Sequence, residues 1–447
     1  MTVYRFTKDS TPPMPGSGSD RERRLREDAQ SFARALTNGE AWERFCDGLR
    51  SAGRSVLGSE DAASDQDLAE GYQYLLGLVH SLVERELYTT DAACPAFLRV
   101  QSDVVKVGMD NPDGALMAAP ISDDGVFRIY GTVRSIRLLE LVISGASRPV
   151  MHYLDEFEVS ADGHFEVTLS RSRVAGNWIE LAPGSSSVLV RRMTYDWDSE
   201  EVPHLAIERI DAGRAAIPRC LQAPTAAGVG EQLDALGTLV ADNADYWIDM
   251  VHSFRDEGDN VIPAPRPLPS TGLNDARSSV KGFFVLPPDE ALLIELTPPE
   301  GLFWSISLGD IWYRTIDFSH HQTSLNGHQA ATDDDGVCRL VVAHRDPGVA
   351  NWLDTVGHER GVVILRWIMV DDRPQPRTTK VPFADLDSIL PSGTRRVGSS
   401  ARAENLARRR DAVARRLSVP LTTRWSYSTS AMDPPRTADP SGEVSHL

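Results

Sequence analysis

The chain has 447 residues, of which 41% are hydrophobic, and a formal net charge of −18. At roughly 100–200 residues per domain this allows two to four domains, and the apolar content excludes wholesale disorder. A surface so acidic repels nucleic-acid phosphates and anionic lipids, so neither nucleic acid nor membrane is an expected partner.

Cys46, Cys94, Cys220 and Cys338 are far apart, with no CxxC pair and no zinc-type spacing. They read as reduced, mostly buried thiols of a cytoplasmic protein. The first residues contain no apolar stretch of the signal-peptide kind. Apolar runs such as 362–365 fall far short of the ~20 residues a membrane helix needs.

Residues 1–19, rich in Pro, Gly and Ser, read as a loose arm. A helical region is expected over 20–108. Its first helix carries Leu25, Ala29, Phe32, Ala33 and Leu36 and closes at Asn38-Gly39. A second holds Trp42, Phe45, Cys46 and Leu49. A third, over about 64–86, has the stripe Leu68, Tyr72, Leu75, Leu76, Val79, Leu82 and Val83. From 109 to 225 short apolar runs alternate with turn signals, which predicts a first antiparallel β unit with hairpin-type turns at Asp124-Gly125 and Asp162-Gly163. Residues 226–279 predict a helical and Pro-rich connector, and 280–395 a second β unit. The segment 396–447 predicts an Arg-rich helix over about 400–417, suited to pairing with the acidic surface or another subunit, and then a disordered tail.

The two β units repeat one another. Asp162-Gly163 corresponds to Asp335-Gly336, Asn177-Trp178 to Asn351-Trp352, and Arg191 to Arg366, at shifts of 173, 174 and 175. A shift that drifts by two residues across thirty implies duplication. Asp-Gly suits a tight turn, Asn suits the corner, and the Trp suits the gap between two sheets.

Features confined to one copy mark candidates for function. His344-Arg345-Asp346 lies over Ser170-Arg171-Ser172, so the His and Asp belong to the second copy alone. A carboxylate two residues from an imidazole on a strand shares its face and can orient it. His344, Asp346 and His328 are therefore the candidate catalytic residues, and Arg345, Asn326, Asn351, Trp352 and His358 the candidate substrate-binding ones. Each also has a structural reading: a polar cluster pinning the loop before Asn351-Trp352. No metal site is expected from His320, His321, His328, His344 and His358, whose spacings match no ligand motif, and no cofactor motif is present.

The second unit resembles the bacterial domain-of-unknown-function 1214 family. The residues that carry the likeness are 324–329, Asp335-Gly336, 342–348, 351–354 and Leu365-Arg366-Trp367, with Glu70-Gly71-Tyr72 and Asp110-Asn111-Pro112-Asp113 upstream. The resemblance implies a jelly-roll-like β-sandwich and no established activity. The expected fold class is α+β, with duplicated antiparallel β-sandwich units, an N-terminal helical region and helical connectors. Two functions stay open. One is an enzyme acting on a small organic molecule or glycan by acid–base hydrolysis or elimination. The other is a non-catalytic ligand-binding or assembly protein. A homo-oligomer fits either.

Overall fold

The computed structural model describes residues 18–87, 91–99, 101, 105–145, 148–211, 223–265 and 277–417. Most of the expected arm, the tail from about 430, Cys220 and the Pro-rich run beyond 265 lie outside them. Gly18 and Ser19, read as part of the arm, instead open a helix.

The amino-terminal helices are α1 (Gly18–Thr37), α2 (Glu40–Leu57) and α3 (Asp65–Leu87). Between the first two, Gly39 adopts φ +87°, and Asn38 Oδ1 accepts a hydrogen bond from the Glu40 N–H at 3.0 Å. The orphan donors of a helix start are satisfied by such a side chain. The segment expected as a connector forms α4 (Ala226–Ser253), which packs along α1, α2 and α3 and completes a helical layer. α2 and α4 touch at Gly48 and Gly237, where a Cβ on Gly48 would overlap the Gly237 carbonyl.

The buried face of α3 differs from the expected stripe. Tyr74 and Leu78 are buried, whereas Tyr72 points outward and Leu76 is 72% exposed. Gly71 sits beneath the Trp312 ring, and Tyr74 stacks on that ring at a centroid distance of 6.2 Å. A contact 238 residues away in the chain selects the face, and local periodicity holds no record of it.

The remainder is mostly antiparallel sheet. The strands are β1 (Leu98–Arg99), β2 (Gly114–Pro120), β3 (Phe127–Thr132), β4 (Leu138–Gly145), β5 (Val150–Tyr153), β6 (His164–Ser170), β7 (Trp178–Glu180), β8 (Ser185–Met193) and β9 (His204–Arg209). The second set is β10 (Arg277–Val285), β11 (Glu290–Leu296), β12 (Gly301–Gly309), β13 (Ser324–Asn326), β14 (Cys338–Ala343), β15 (Trp352–Asp354), β16 (Arg360–Val370) and β17 (Arg377–Pro382). They form four sheets, ordered β1-β2-β8-β4-β5, β7-β6-β3-β9, β10-β16-β12-β13 and β15-β14-β11-β17. Among the described residues none closes into a barrel. The fold is α+β.

Once β1 is set aside, the second pair of sheets repeats the strand order of the first, strand for strand. The single parallel pairing recurs too, as β6 with β7 and β14 with β15. Each pair of sheets closes on an apolar core. Phe127, Phe165, Leu141 and Val190 fill one, and Phe284, Ile294, Trp304 and Leu365 fill the other.

The repeated sequence signals fall at equivalent places. Gly163 and Gly336 adopt φ +84° and +81°, and each donates its N–H to the residue three before, Ser160 and Asp333. Asn177 Oδ1 accepts from the Glu158 N–H, while Nδ2 donates to the carbonyls of Glu158 and Glu166. Asn351 does the same with Ala331 and Arg339. The Asn is thus a side-chain staple across two backbone segments, beyond the corner role its sequence context suggested. Asp124-Gly125 does turn, with Gly125 N–H on Ser122 O. It joins β2 and β3, which belong to different sheets, so it is no hairpin. β2 pairs with β1 before it and β8 far beyond it, and β3 with β6 and β9.

After the last strand, α5 (Leu386–Ile389) leads to α6 (Ser399–Leu417). Arg402, Arg409 and Arg416, seven residues apart, are buried on one face of α6. Seven residues are close to two helical turns, so the three side chains stand in line. They bind Asp346 and Gln322, Phe318 O and Ser324, and Pro112 O respectively. Buried anchorage, largely to carbonyls and hydroxyls, is added to the expected pairing with acidic residues, which Arg402 makes with Asp346 and Arg415 with the exposed Asp198 at 3.9 Å.

Candidate functional site

Strand alternation splits β10, β12 and β16 into two faces. Val280, Phe284, Trp304, Ile306, Val363 and Leu365 enter the sandwich core. The other face turns outward and is nevertheless covered. At one end Phe283, Val362 and Ile364 pack with Tyr74, Trp247 and Trp312 of the helical layer and its neighbouring loop. At the other end Phe303 and Ile368 pack with Leu138, Tyr153 and Met193 of the first sandwich.

Between these two apolar clusters lies a polar seam. The register sets Ser279 beside Arg366, Arg366 beside Ser305, and Ser305 beside Asn326. The next row holds Lys281, Ile364, Ser307 and Ser324. The first sandwich contributes Glu140 and Arg191, which face each other across β4 and β8.

The charges in the seam do not balance. Arg277 Nη1 donates to Glu140 Oε2 at 2.6 Å, and Arg191 lies 3.6 Å from the same oxygen. Arg366 donates to Ser307 Oγ and to Met109 O, both at 2.8 Å. Lys281 Nζ donates to Ser279 Oγ at 2.9 Å. Among the described residues neither Lys281 nor Arg366 is paired with a carboxylate. Glu140 Oε1, Arg191 Nη1 and Ser305 Oγ are buried with no hydrogen-bond partner among them.

Burial pulls Arg277 down to about 10, against the pull of Glu140, and burial with the neighbouring Arg366 pulls Lys281 down to about 8. Burial lowers Arg366 as well. An isolated cation is costly to desolvate, and the four cations here have a single carboxylate in direct contact, with Asp110 and Asp113 acting on Arg366 from the border. Yet these side chains keep some accessible surface, 16% for Arg277 and 20% for Arg191. The cations thus form a polar layer between two apolar clusters, partly accessible at Arg277 and Arg191. Arginine forks match carboxylate and phosphate oxygens, so an anion would complete this arrangement.

Asp110 and Asp113 border the seam. Asp110 accepts from Thr315, and Asp113 Oδ1 accepts from Trp197 Nε1 at 2.8 Å and Asn326 Nδ2 at 2.6 Å. Burial raises the pKa of both, against nearby cations: chiefly Lys106 for Asp110 and Arg416 for Asp113.

The residues singled out in the sequence do not gather around one recess. His344 Nε2 donates to Leu286 O and its Nδ1 accepts from Thr355 Oγ1, both at 2.9 Å. Asp346 is held by Arg402 and caps the Gly348 N–H. His328 is exposed beside Asp196, at 3.6 Å. Arg345 lies over the Phe383 ring. Trp352 donates to Ala343 O and carries Arg402 on its face. Asn351 is the staple described above. His358 binds Glu70 of α3 at 3.0 Å. Of the eight, Asn326 alone lies on the seam face.

The sequence reading missed Lys281, Arg277, Ser279 and Glu140. It did single out Arg191 and Arg366, as a repeat rather than as a site. The signal available was polar residues at every second position of Arg277-Ser278-Ser279-Val280-Lys281. Only the tertiary fold shows that this outer face is covered. Among the described residues, no group of three or more His, Cys, Asp or Glu is arranged to hold a metal, and no helix is long and apolar enough to cross a membrane.

Residues 292–369 match the model of a family described as "Protein of unknown function (DUF1214)". The chain is similar to the crystal structure of an uncharacterised protein from Burkholderia cenocepacia, at 29% identity and a TM-score of 0.73, covering 79% of this chain and all of that one. A protein from Vibrio parahaemolyticus matches at 11% identity and a TM-score of 0.42, over 73% of this chain and all of that one. No curated protein matches the chain.

Proposed function

We propose that this chain, whose second sandwich carries a domain of the DUF1214 family, binds a small organic anion in the seam between its two sandwiches. The carrying observation is that Lys281 and Arg366, on the covered face between the two apolar clusters, hydrogen-bond to hydroxyls and a carbonyl and to no carboxylate among the described residues. Carboxylate or phosphate oxygens would meet Arg366, Lys281 and the free edge of Arg191, with Ser305 Oγ as a further partner. A cationic lining favours an anion over a neutral glycan. The matching strand orders support the inference that the two sandwiches arose by duplication, with their shared outer faces turned toward each other to make the seam.

The test is calorimetric titration with dicarboxylates, keto acids and phosphate monoesters. At least one class should bind, and Arg366→Gln and Lys281→Met should each weaken it tenfold or more. Absence of binding across the panel, or binding indifferent to both substitutions, would overturn the proposal.

One observation favours acid–base chemistry as a second reading. His321 Nδ1 lies 2.8 Å from Asp354 Oδ2, and that hydrogen bond raises the pKa of a half-buried imidazole. This pair at the edge of the second sandwich has the form of a carboxylate-oriented general acid or base. Loss of a hydrolytic or eliminating activity in His321→Gln, with folding intact, would support it; unchanged activity would refute it.

A further inference from the structure

We propose that Lys281 is an amine nucleophile that forms an imine with a keto acid held in the seam, an inference that rests on the anion-binding reading above.

The chain contains 46 basic residues and only four are lysines: Lys8, Lys106, Lys281 and Lys380. Lys8 lies outside the described residues. Lys106 donates to Thr315 O and lies over the Phe318 ring. Lys380 is surface-exposed and paired with Glu290 at 2.7 Å. Lys281 differs from both. It stands in the row between Arg366 and the helical layer, on a strand hydrogen-bonded along its length to β16. Its one described partner is a serine hydroxyl. In so arginine-rich a chain, a cation needed only for charge has an obvious alternative. Lysine offers what arginine does not, a nitrogen that loses its proton within reach of neutral pH.

Burial and the nearby Arg366 both favour the neutral amine. With a pKa near 8, about a tenth of the lysine is neutral at pH 7, against fewer than about one in a thousand for an ordinary lysine. Desolvation beside a second cation is a recognised way to activate an amine.

The step balances without any further reagent. Arg366 holds the carboxylate and so sets the adjacent carbonyl against Nζ. The nitrogen lone pair forms the C–N bond while the carbonyl π electrons move to oxygen. A proton passes from nitrogen to that oxygen, and Ser279 Oγ, 2.9 Å from Nζ, is placed to relay it. The carbinolamine takes up one further proton and loses water, leaving a protonated imine. Amine, ketone and one proton go in; iminium and water come out.

The test is reductive trapping on the full-length protein. Pyruvate, acetoacetate and 2-oxoglutarate are each added with cyanoborohydride, and the adduct is located by peptide mass mapping. The expected result is modification at Lys281 with the other three lysines as internal controls, a rate that rises with pH through about 8, and loss of the adduct in Lys281→Arg. A parallel titration with succinate, which has no carbonyl, separates the two ideas. Succinate and keto acid binding with no adduct at Lys281 would overturn the imine and leave anion binding intact. Failure of every anion to bind would overturn both. An adduct spread equally over the lysines and unchanged in Lys281→Arg would also sink the inference.

Discussion

Arg277 on the edge strand of the second sandwich crosses to Glu140 in the first, Nη1 to Oε2 at 2.6 Å, and Glu140 is wholly buried. The contact ties two bodies whose sequence positions are 137 residues apart. It is the only carboxylate hydrogen bond made by the seam cations among the described residues. Glu140 therefore acts as a shared counter-ion, with Arg191 on its other side.

Removing that counter-ion leaves buried positive charge uncompensated. Glu140→Gln should cost about 3–5 kcal/mol of folding stability, the usual penalty for breaking a buried pair from one side. Glu140→Gln with Arg277→Met should recover part of the loss, because that pair of charges is then gone while Arg191 still lacks its counter-ion. Urea unfolding midpoints of the wild type, the single variant and the double variant form the check. A single variant as stable as the wild type would show that the pair is not what joins the sandwiches.

His358 and Glu70 join the second sandwich to α3, with Nε2 3.0 Å from both carboxylate oxygens. Burial opposes charge on His358, but Glu70 outweighs it and the imidazole pKa stands above 6.5. Burial likewise opposes charge on Glu70, yet the His358 hydrogen bond holds it below 4.5. The His contribution is complete below 6.5 and is lost as pH rises through its raised folded value. The Glu contribution is complete above 4.5 and is lost as pH falls through its lowered one. The stability difference between wild type and His358→Gln should therefore be largest between about pH 4.5 and 6.5 and shrink on both sides. A difference that does not vary with pH would count against an ion pair.

Arg402 anchors the start of α6. It is bidentate on Asp346, donates to Gln322 Oε1 and Val349 O, and covers the Trp352 ring. Lysine keeps the charge but loses the fork and the planar stack. Arg402→Lys should cost about 1.5–3 kcal/mol, as the loss of charge-assisted hydrogen bonds does. Because Arg402 anchors the first turn of α6, the loss should show first as local release. Proteolysis or hydrogen exchange in 399–417 would speed up before the sandwiches respond. Uniform destabilisation without that local change would argue that α6 is integral to the second sandwich.

Much of the fold was legible, because period and punctuation are local. Asn38-Gly39 ended one helix and began another, and Asp335-Gly336 fell at a φ that favours glycine. The repeat was visible because its Asp-Gly turns and Asn staples recur in both copies; the Trp, expected between the sheets, instead packs outside the core with Val341 and Leu386 in the second copy and is only partly buried in the first. The site was less legible, for a physical reason. His344 looked functional because it was unique to one copy, yet its two ring nitrogens close a contact between Leu286 and Thr355. Alternation alone sends Lys281 outward and says nothing of what lies over it. That it stands beside Arg366 on a covered face follows from how the first sandwich and the helices pack there. The same long-range cover turned Tyr74 inward and Tyr72 outward on α3.

Lys281 should weaken the fold in the absence of a ligand. A lysine whose pKa falls from 10.5 to about 8 on folding binds its proton less tightly in the folded state. The resulting penalty is complete below pH 8, diminishes as pH rises toward 10.5, and vanishes above it. A fall of that size corresponds to up to about 3 kcal/mol, less what water in the seam screens. Lys281→Met should thus be more stable than wild type at pH 7, and the two should converge as pH rises above 8. Denaturant midpoints at pH 7, 9 and 10.5 would show it. A structural lysine would give the opposite sign, a loss on substitution at every pH. Stability gained at neutral pH together with anion binding lost is the pattern expected of a charge kept for a ligand rather than for the fold.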